Sequence, residues 1–395
     1  MNIDFYENNN GCCTRIMVMG IGGGGCNSIN RMIDAGVKGV EFIAVNTDKQ
    51  ALSSCKATRK ITIGEKLTGG RGAGAIPDIG EKAALESEEI ISEILKGVNM
   101  LFIAAGMGGG TGTGAAPVIA KIARELGCLT IGVVTKPFDF EKRTKGKIAE
   151  EGTKKLKEHT DTLIVISNQA LFEGNDNIPL VEAWRRADEV LKQGVQGISD
   201  LIVNPGEINI DFADVQTVMK NKGQALMGVG IGRGDNSAIE AVTMAIENPL
   251  MPDLVVANAK ALLVNVAGSS KMTLKNFSDV MKFIENIASD DALVIPGQSF
   301  DDSLQDTIKV TIVATGFEEK ERVQQMPVKE KVVEEKPQET SSTQANVYSH
   351  EEFVNLLKSS SKTTAKNIEE PAFMRKFNTK KDKSDEDSNF LTKKS

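Results

Sequence analysis

Two glycine-rich turns and one acidic loop hold the residue types best suited to chemistry. The segment Ala104-Ala-Gly-Met-Gly-Gly-Gly-Thr-Gly-Thr-Gly-Ala115 carries Gly108, Gly109, Gly110, Thr111, Gly112 and Thr113. Glycine lets backbone N–H groups approach an anion with no Cβ in the way, and the N-terminus of a following helix adds a favourable dipole. The Thr111 and Thr113 hydroxyls add donors. A second turn, Gly20-Ile-Gly-Gly-Gly-Gly-Cys-Asn27, carries Gly22, Gly23, Gly24, Gly25, Cys26 and Asn27. One such turn is a weak signal, but two, each between a strand and a helix, read as a pair of phosphate cradles. The acidic loop is Asn209-Ile-Asp-Phe-Ala-Asp214. Asp211 and Asp214 precede a helical pattern, so helix capping is one reading. A carboxylate pair that orients a water or helps hold a cation is the other.

The elements that must position these groups follow from periodicity. Short apolar runs at 15–19, 42–46, 100–105, 129–135 and 163–167 are strand candidates, with helical patterns between most of them. That alternation predicts a mostly parallel sheet covered by helices, with ligands at the C-terminal strand ends. Both glycine turns, Asn46-Thr-Asp48 and Ser167-Asn168 fall at such ends. A long helix follows over 179–203, with Pro179 in its first turn and Val181, Trp184, Ala187, Leu191, Val195, Ile198 and Ile202 along one face. It would run about 35 Å. Residues 204–317 read as a separate, smaller α/β domain, with strand-like runs near 225–230, 261–266, 292–295 and 308–314 and helices over 237–247 and 274–288.

The domain scheme is therefore a flexible extension at 1–13, a Rossmann-like nucleotide domain at 14–178, the central helix, and the second α/β domain. A polar, mixed-charge linker at 318–366 reads as disordered and would span roughly 40 Å. An apolar-basic island, Ile368-Glu-Glu-Pro-Ala-Phe-Met-Arg-Lys376, lies within 367–377 and reads as a docking peptide, before a charged tail at 378–395.

Composition excludes several classes. No apolar run reaches the roughly 18 residues of a membrane helix, and the start reads as no secretory signal. Five cysteines without a C-x-x-C pair fit reduced cytoplasmic thiols. With only His159 and His350, histidine-based metal sites and Ser–His hydrolysis are disfavoured, and no protein metal site is expected. A net charge of −7 argues against general nucleic-acid binding. There is no G-x-x-x-x-G-K-[ST] and no Asn-Lys-x-Asp. A dinucleotide-dependent Rossmann oxidoreductase stands as the alternative: it explains the first turn, with Asp48 as ribose acid, but leaves the second unexplained.

On these residues, from about Arg15 to Phe317 plus the terminal peptide, the chain resembles the bacterial cell-division GTPases of the tubulin/FtsZ superfamily. Gly108-Gly-Gly-Thr-Gly-Thr-Gly114 matches that family's phosphate loop, and Asn209 to Asp214 its N-x-D-x-x-D catalytic loop. The resemblance implies that Gly23 to Asn27 and Gly110-Thr111-Gly112 hold the phosphates of GTP or GDP. Glu141 would contact the ribose, Asn168 and Asp188 would read guanine, and Trp184 would stack on it. Asp211 and Asp214 would polarise the attacking water, with Asn209 positioning the loop. A carboxylate at the far end of a helix about 35 Å long cannot reach its own nucleotide. The resemblance therefore implies head-to-tail filaments in which one subunit completes the next one's site. It also implies Mg²⁺ with the nucleotide, and membrane-tethering division partners at Ile368–Lys376. The protein would work at midcell beneath the inner membrane without spanning it. Three residues depart from the pattern: Cys26 replaces Gly or Asn and would set a thiol beside the phosphates, Trp184 replaces Phe, and Lys145 replaces an Arg that contacts nucleotide.

Overall fold

The computed structural model describes residues 14–172, 178–203, 210–234, 236–248 and 258–316. The N-terminal extension, Asn209, the linker, the Ile368–Lys376 peptide and the charged tail lie outside the described residues.

The first half alternates as expected: β1 (Ile16–Ile21), α1 (Gly22–Asp34), β2 (Glu41–Asn46), α2 (Lys49–Ser53), β3 (Arg59–Thr62), α3 (Glu65–Thr68), α4 (Pro77–Glu86), α5 (Glu88–Leu95), β4 (Met100–Gly106), α6 (Thr111–Glu125), β5 (Leu129–Lys136), α7 (Arg143–His159) and β6 (Thr162–Ser167). Then come α8 (Leu180–Val203), α9 (Phe212–Met219), β7 (Gly223–Arg233), α10 (Ser237–Ile246), β8 (Ala261–Gly268), α11 (Leu274–Ile287), β9 (Leu293–Phe300) and β10 (Thr307–Thr315).

Among the described residues, all ten strands belong to one sheet, in the order β3-β2-β1-β4-β5-β6-β7-β10-β8-β9. From β3 to β7 the pairings are parallel, and β10 runs antiparallel between β7 and β8. Crossover helices cover both faces, so β1 is buried along its whole length and reads as one apolar run. One core cluster packs β1, β4 and β5 side chains beneath α4, α5 and α6. On the opposite face Leu191, Val195, Ile198 and Leu201 of α8 meet Ile131 and Val133 of β5 and Ile164 of β6.

The expected second α/β region forms, yet it has no sheet of its own. It joins the first through a short parallel junction, Thr162↔Gly223, Leu163↔Gln224 and Ile164↔Ala225, and packs its own core around α10 and α11. The α8 stripe also starts later than its periodicity suggested. Val181 is 81% exposed and Trp184 39% exposed, so burial begins with Ala183 and Ala187.

Candidate functional site

The strands from β1 to β6 are parallel, so every turn leaving them opens on the same edge of the sheet. Gly22 begins α1 at φ +72°, and a Cβ at Gly25 would lie 2.3 Å from the Ala104 carbonyl, so α1 seats against β4 only as glycine. Neither α1 nor α6 has a side chain capping its first N–H groups. A helix start left this way is suited to an anion. Gly23, Gly24 and Asn27 are the exposed positions of the first turn. A Cβ at Gly23 or Gly109 would meet nothing within 4 Å, which marks the open floor of the cradle. Two helix starts without a side-chain cap, around an open, backbone-lined hollow, fit a polyphosphate.

The threonines divide their work. Thr111 shares a 2.7 Å hydrogen bond with Thr47, tying the second turn to the end of β2. Thr113 is 3% exposed, and its hydroxyl accepts from Gly108 N–H at 2.9 Å. Thr113 therefore holds the loop's shape from within, where the sequence suggested a further hydrogen-bond donor for the cradle. The segment Gly69-Gly-Arg-Gly-Ala-Gly-Ala-Ile76 was missed by sequence reasoning. Gly72 N–H donates to the Thr47 carbonyl at 3.1 Å, and a Cβ on Gly110 would come within 2.8 Å of Ile76 N, so this segment walls the cradle. Its signal was present: four glycines in six residues, all at positive φ.

Cys26 corrects an expectation. Its thiol is 3% exposed and packs with Ile29, Ala44, Leu52, Cys55 and Ala57. Residues three apart on a helix share a face, so Cys26 follows Ile29 into the core and turns away from the phosphate edge. Burial, with Cys55 adding to it, pushes the thiol up to about 12.

At the other end of the same edge, Asn168 is 4% exposed and its Oδ1 has no hydrogen-bond partner. A buried acceptor left without a donor is costly and points to a ligand N–H. Trp184 meets the Phe138 ring edge-on at 5.2 Å and 88°, and Phe138 stacks on Phe140 at 5.0 Å. Asp188, one turn beyond Trp184, accepts from Arg31 Nε at 2.7 Å. Burial pushes its carboxyl up, and the Arg31 guanidinium opposes that. Glu141 accepts from Phe138 N–H at 3.0 Å and from the Lys145 ammonium, so its carboxylate locks its own turn and anchors Lys145. Lys145 in turn lies against Gly108, where a Cβ would meet its carbonyl oxygen at 2.9 Å. Lys145 is thus beside the second turn, on a residue pair rather than a guanidinium fork.

The acidic loop is elsewhere. Asp211 caps α9, accepting from Asp214 N–H at 2.8 Å, so the capping reading is realised. The far end of α9 is tied to the N-terminal end of β6: the Thr162 hydroxyl donates to the Met219 carbonyl, and Lys222 N–H to the Asp161 carbonyl at 2.9 Å. Ile210 sits beside Leu201 near the end of α8, both abutting Gly297. This is the edge of the sheet opposite the glycine turns. Within one chain, Asp211 and Asp214 are not brought to the cradle. Among the described residues no group of three or more His, Cys, Asp or Glu could hold a metal, and no helix is long and apolar enough to cross a membrane.

Comparison with known proteins adds a family to this geometry. Residues 15–176 match the model of the Tubulin/FtsZ family GTPase domain, and 223–318 that of the FtsZ family C-terminal domain. An empty FtsZ dimer from M. jannaschii is 44% identical, with a TM-score of 0.74 over 78% of this chain and 89% of that one. A point mutant of M. jannaschii FtsZ is 45% identical, also at 0.74, over 77% and 91%. CetZ2 from Haloferax volcanii, solved as a GTPγS-bound protofilament, shares the fold at 20% identity, with a TM-score of 0.66 over 78% of this chain and 95% of that one. The glycine cradle, the long helix behind it and the sheet that continues past that helix are accounted for together: the chain belongs to the tubulin/FtsZ family of GTPases.

Proposed function

We propose that this chain is a polymerising GTPase whose subunits stack head to tail, each hydrolysing GTP on its neighbour, and that the filaments build a bacterial division ring. The observation that carries this reading is the separation of the cradle from the carboxylates, on opposite edges of one sheet. A heterologous contact between such edges brings a second subunit's Asp211 and Asp214 to the first one's nucleotide and propagates into a filament. That a 44%-identical relative is described as a dimer favours self-association.

In this scheme the uncapped N–H groups of α1 and α6 bind the phosphates, with Gly22 to Gly25 and Gly108 to Gly112 keeping the backbone close. Lys145 neutralises phosphate charge, and Glu141 holds Lys145 there besides meeting the ribose. Asn168 accepts from a guanine N–H, Asp188 accepts from the others, and Trp184 stacks on the ring. Bound with the nucleotide, Mg²⁺ would spread the charge developing on the phosphates, and among the described residues no cluster of side chains is built to hold it. Asp211 spends one oxygen on Asp214 N–H, and its other oxygen and the Asp214 carboxylate orient water for in-line attack. Asn209 belongs to the same loop. Loss of the γ-phosphate then changes the interface between subunits and weakens the filament.

Ile368, Phe373 and Met374, flanked by Arg375 and Lys376, are proposed to fill a groove on a membrane-tethering division partner, holding the filament beneath the inner membrane at midcell. The test of the function is GTP hydrolysis per subunit against protein concentration. A sharp rise above a threshold is expected, and a rate per subunit independent of concentration would contradict shared hydrolysis.

A further inference from the structure

Helix α1 does more than begin at the phosphate cradle. About two and a half turns after its start, Arg31 reaches across to α8 and places its Nε 2.7 Å from Asp188 Oδ2, while Ser28 Oγ stands 3.5 Å from Asp188 Oδ1. Both oxygens of this carboxylate are therefore addressed from the same helix. The pair is half sheltered: the Asp188 side chain is 16% exposed and that of Arg31 36%. The geometry points to Arg31 as a positioning residue for nucleotide selectivity, one that fixes the orientation and negative charge of the Asp188 carboxylate so that it accepts from the N1–H and 2-amino group of a guanine.

The inference rests on the proposed role of Asp188 in reading the base and goes one residue beyond it. A carboxylate selects guanine over hypoxanthine only if it is ionised and aimed, because the two purines differ by a single N–H donor group. An Asp buried without a cation is drawn towards its neutral form, which donates where it should accept. Arg31 opposes that and removes the rotational freedom of the Asp188 side chain. A carboxylate has acceptor sites beyond those facing Arg31 and Ser28, so holding it does not exhaust it. The arrangement also explains why an arginine stands on the polar flank of α1 with its guanidinium turned to α8. One rigid helix then sets the phosphate cradle at its start and the base-reading carboxylate further along.

Because α1 also carries the cradle, a purely structural loss at Arg31 would weaken every nucleotide alike. The informative quantity is the ratio of GDP to IDP affinity, measured by calorimetry on the full, nucleotide-stripped chain with ADP as control. In Arg31→Gln this ratio is expected to fall about tenfold, the loss of one hydrogen bond to a charged group. IDP affinity should fall less than GDP affinity, because hypoxanthine offers Asp188 only its N1–H. Arg31→Lys, which keeps a cation, is expected to retain most of the ratio. If Arg31→Gln lowers GDP and IDP affinity together with the ratio intact, Arg31 merely clamps α1 to α8 and the inference is overturned. A lysine variant as poor as glutamine would overturn the role of charge. Asp188→Ala separates the two levels: if it leaves the ratio unchanged, the base-reading role of Asp188 fails, whereas a collapse in Asp188→Ala with none in Arg31→Gln sinks the Arg31 inference alone.

Discussion

The two ends of the molecule are built from opposite materials. The glycine edge offers the starts of α1 and α6, which no side chain caps among the described residues, around a hollow where a Cβ at Gly23 or Gly109 would touch nothing. The acidic edge offers carboxylates, one of which is already spent on capping its own helix. Donors gather where an anion would sit, and acceptors gather where a water would need orienting. On the proposed reading neither end hydrolyses GTP alone, and the working unit is the junction between two subunits.

The largest effect that could break this comparison is on turnover. Asp211→Ala and Asp214→Ala are expected to cut GTP hydrolysis by about a hundredfold or more, the usual contribution of a positioned carboxylate. GDP affinity should be unchanged, as calorimetry would report, because the cradle lies on the other edge. Since Asp211 also caps α9, Asp211→Ala should cost about 1 kcal/mol of stability in addition. Asp211→Asn, which keeps a capping oxygen, separates the two effects.

Next come two glycines of the cradle that differ in what surrounds them. Gly25→Ala drives a methyl group into the Ala104 carbonyl, 2.3 Å away, and should destabilise the fold by about 3 kcal/mol in urea titrations. At Gly109 an added Cβ would meet nothing within 4 Å, so Gly109→Val should leave stability within about 1 kcal/mol. It should nonetheless weaken GDP binding about tenfold or more by filling the hollow. Equal loss of stability in both variants would mean that the hollow is not a binding surface.

A smaller effect concerns Lys142, which sits at φ +78° between Glu141 and α7. Such a backbone costs a non-glycine residue about 1 kcal/mol or more. Lys142→Gly should raise the thermal midpoint while GDP affinity is kept. The smallest is spectroscopic. As the only tryptophan, partly exposed Trp184 should change emission saturably with GDP, and Trp184→Phe should bind without that signal. Emission indifferent to saturating GDP would remove Trp184 from the base site.

Much of this is legible in the amino-acid sequence. The two glycine turns, the parallel strands feeding them and α8 follow from residue types and periods that few other structures would need. Strand β3 was not, because Arg59-Lys-Ile-Thr62 lies at the sheet edge with only Ile61 buried, and an edge strand needs no apolar run. The continuity of the sheet was hidden for a related reason. Residues 204–222 separate α8 from β7, and no local pattern says whether β7 pairs with β6 or starts anew. Direction was the hardest property to read. Cys26 and Thr113 stand in the right loops but point inward, and sequence position alone does not tell a side chain that lines a site from one that supports it. The Gly69–Ile76 wall was readable from its glycines but lacks the strand-to-helix frame that drew attention to the other two turns.

The most direct test mixes two crippled proteins. Asp211→Ala retains a complete cradle, and Gly109→Val retains a complete acidic loop. Combined in equal amounts above the assembly threshold, they are expected to hydrolyse GTP faster than the sum of the two measured separately, at junctions that join an intact cradle to an intact loop. A mixture no faster than that sum, with copolymers seen by sedimentation, would show that each chain hydrolyses its own nucleotide and would contradict the account.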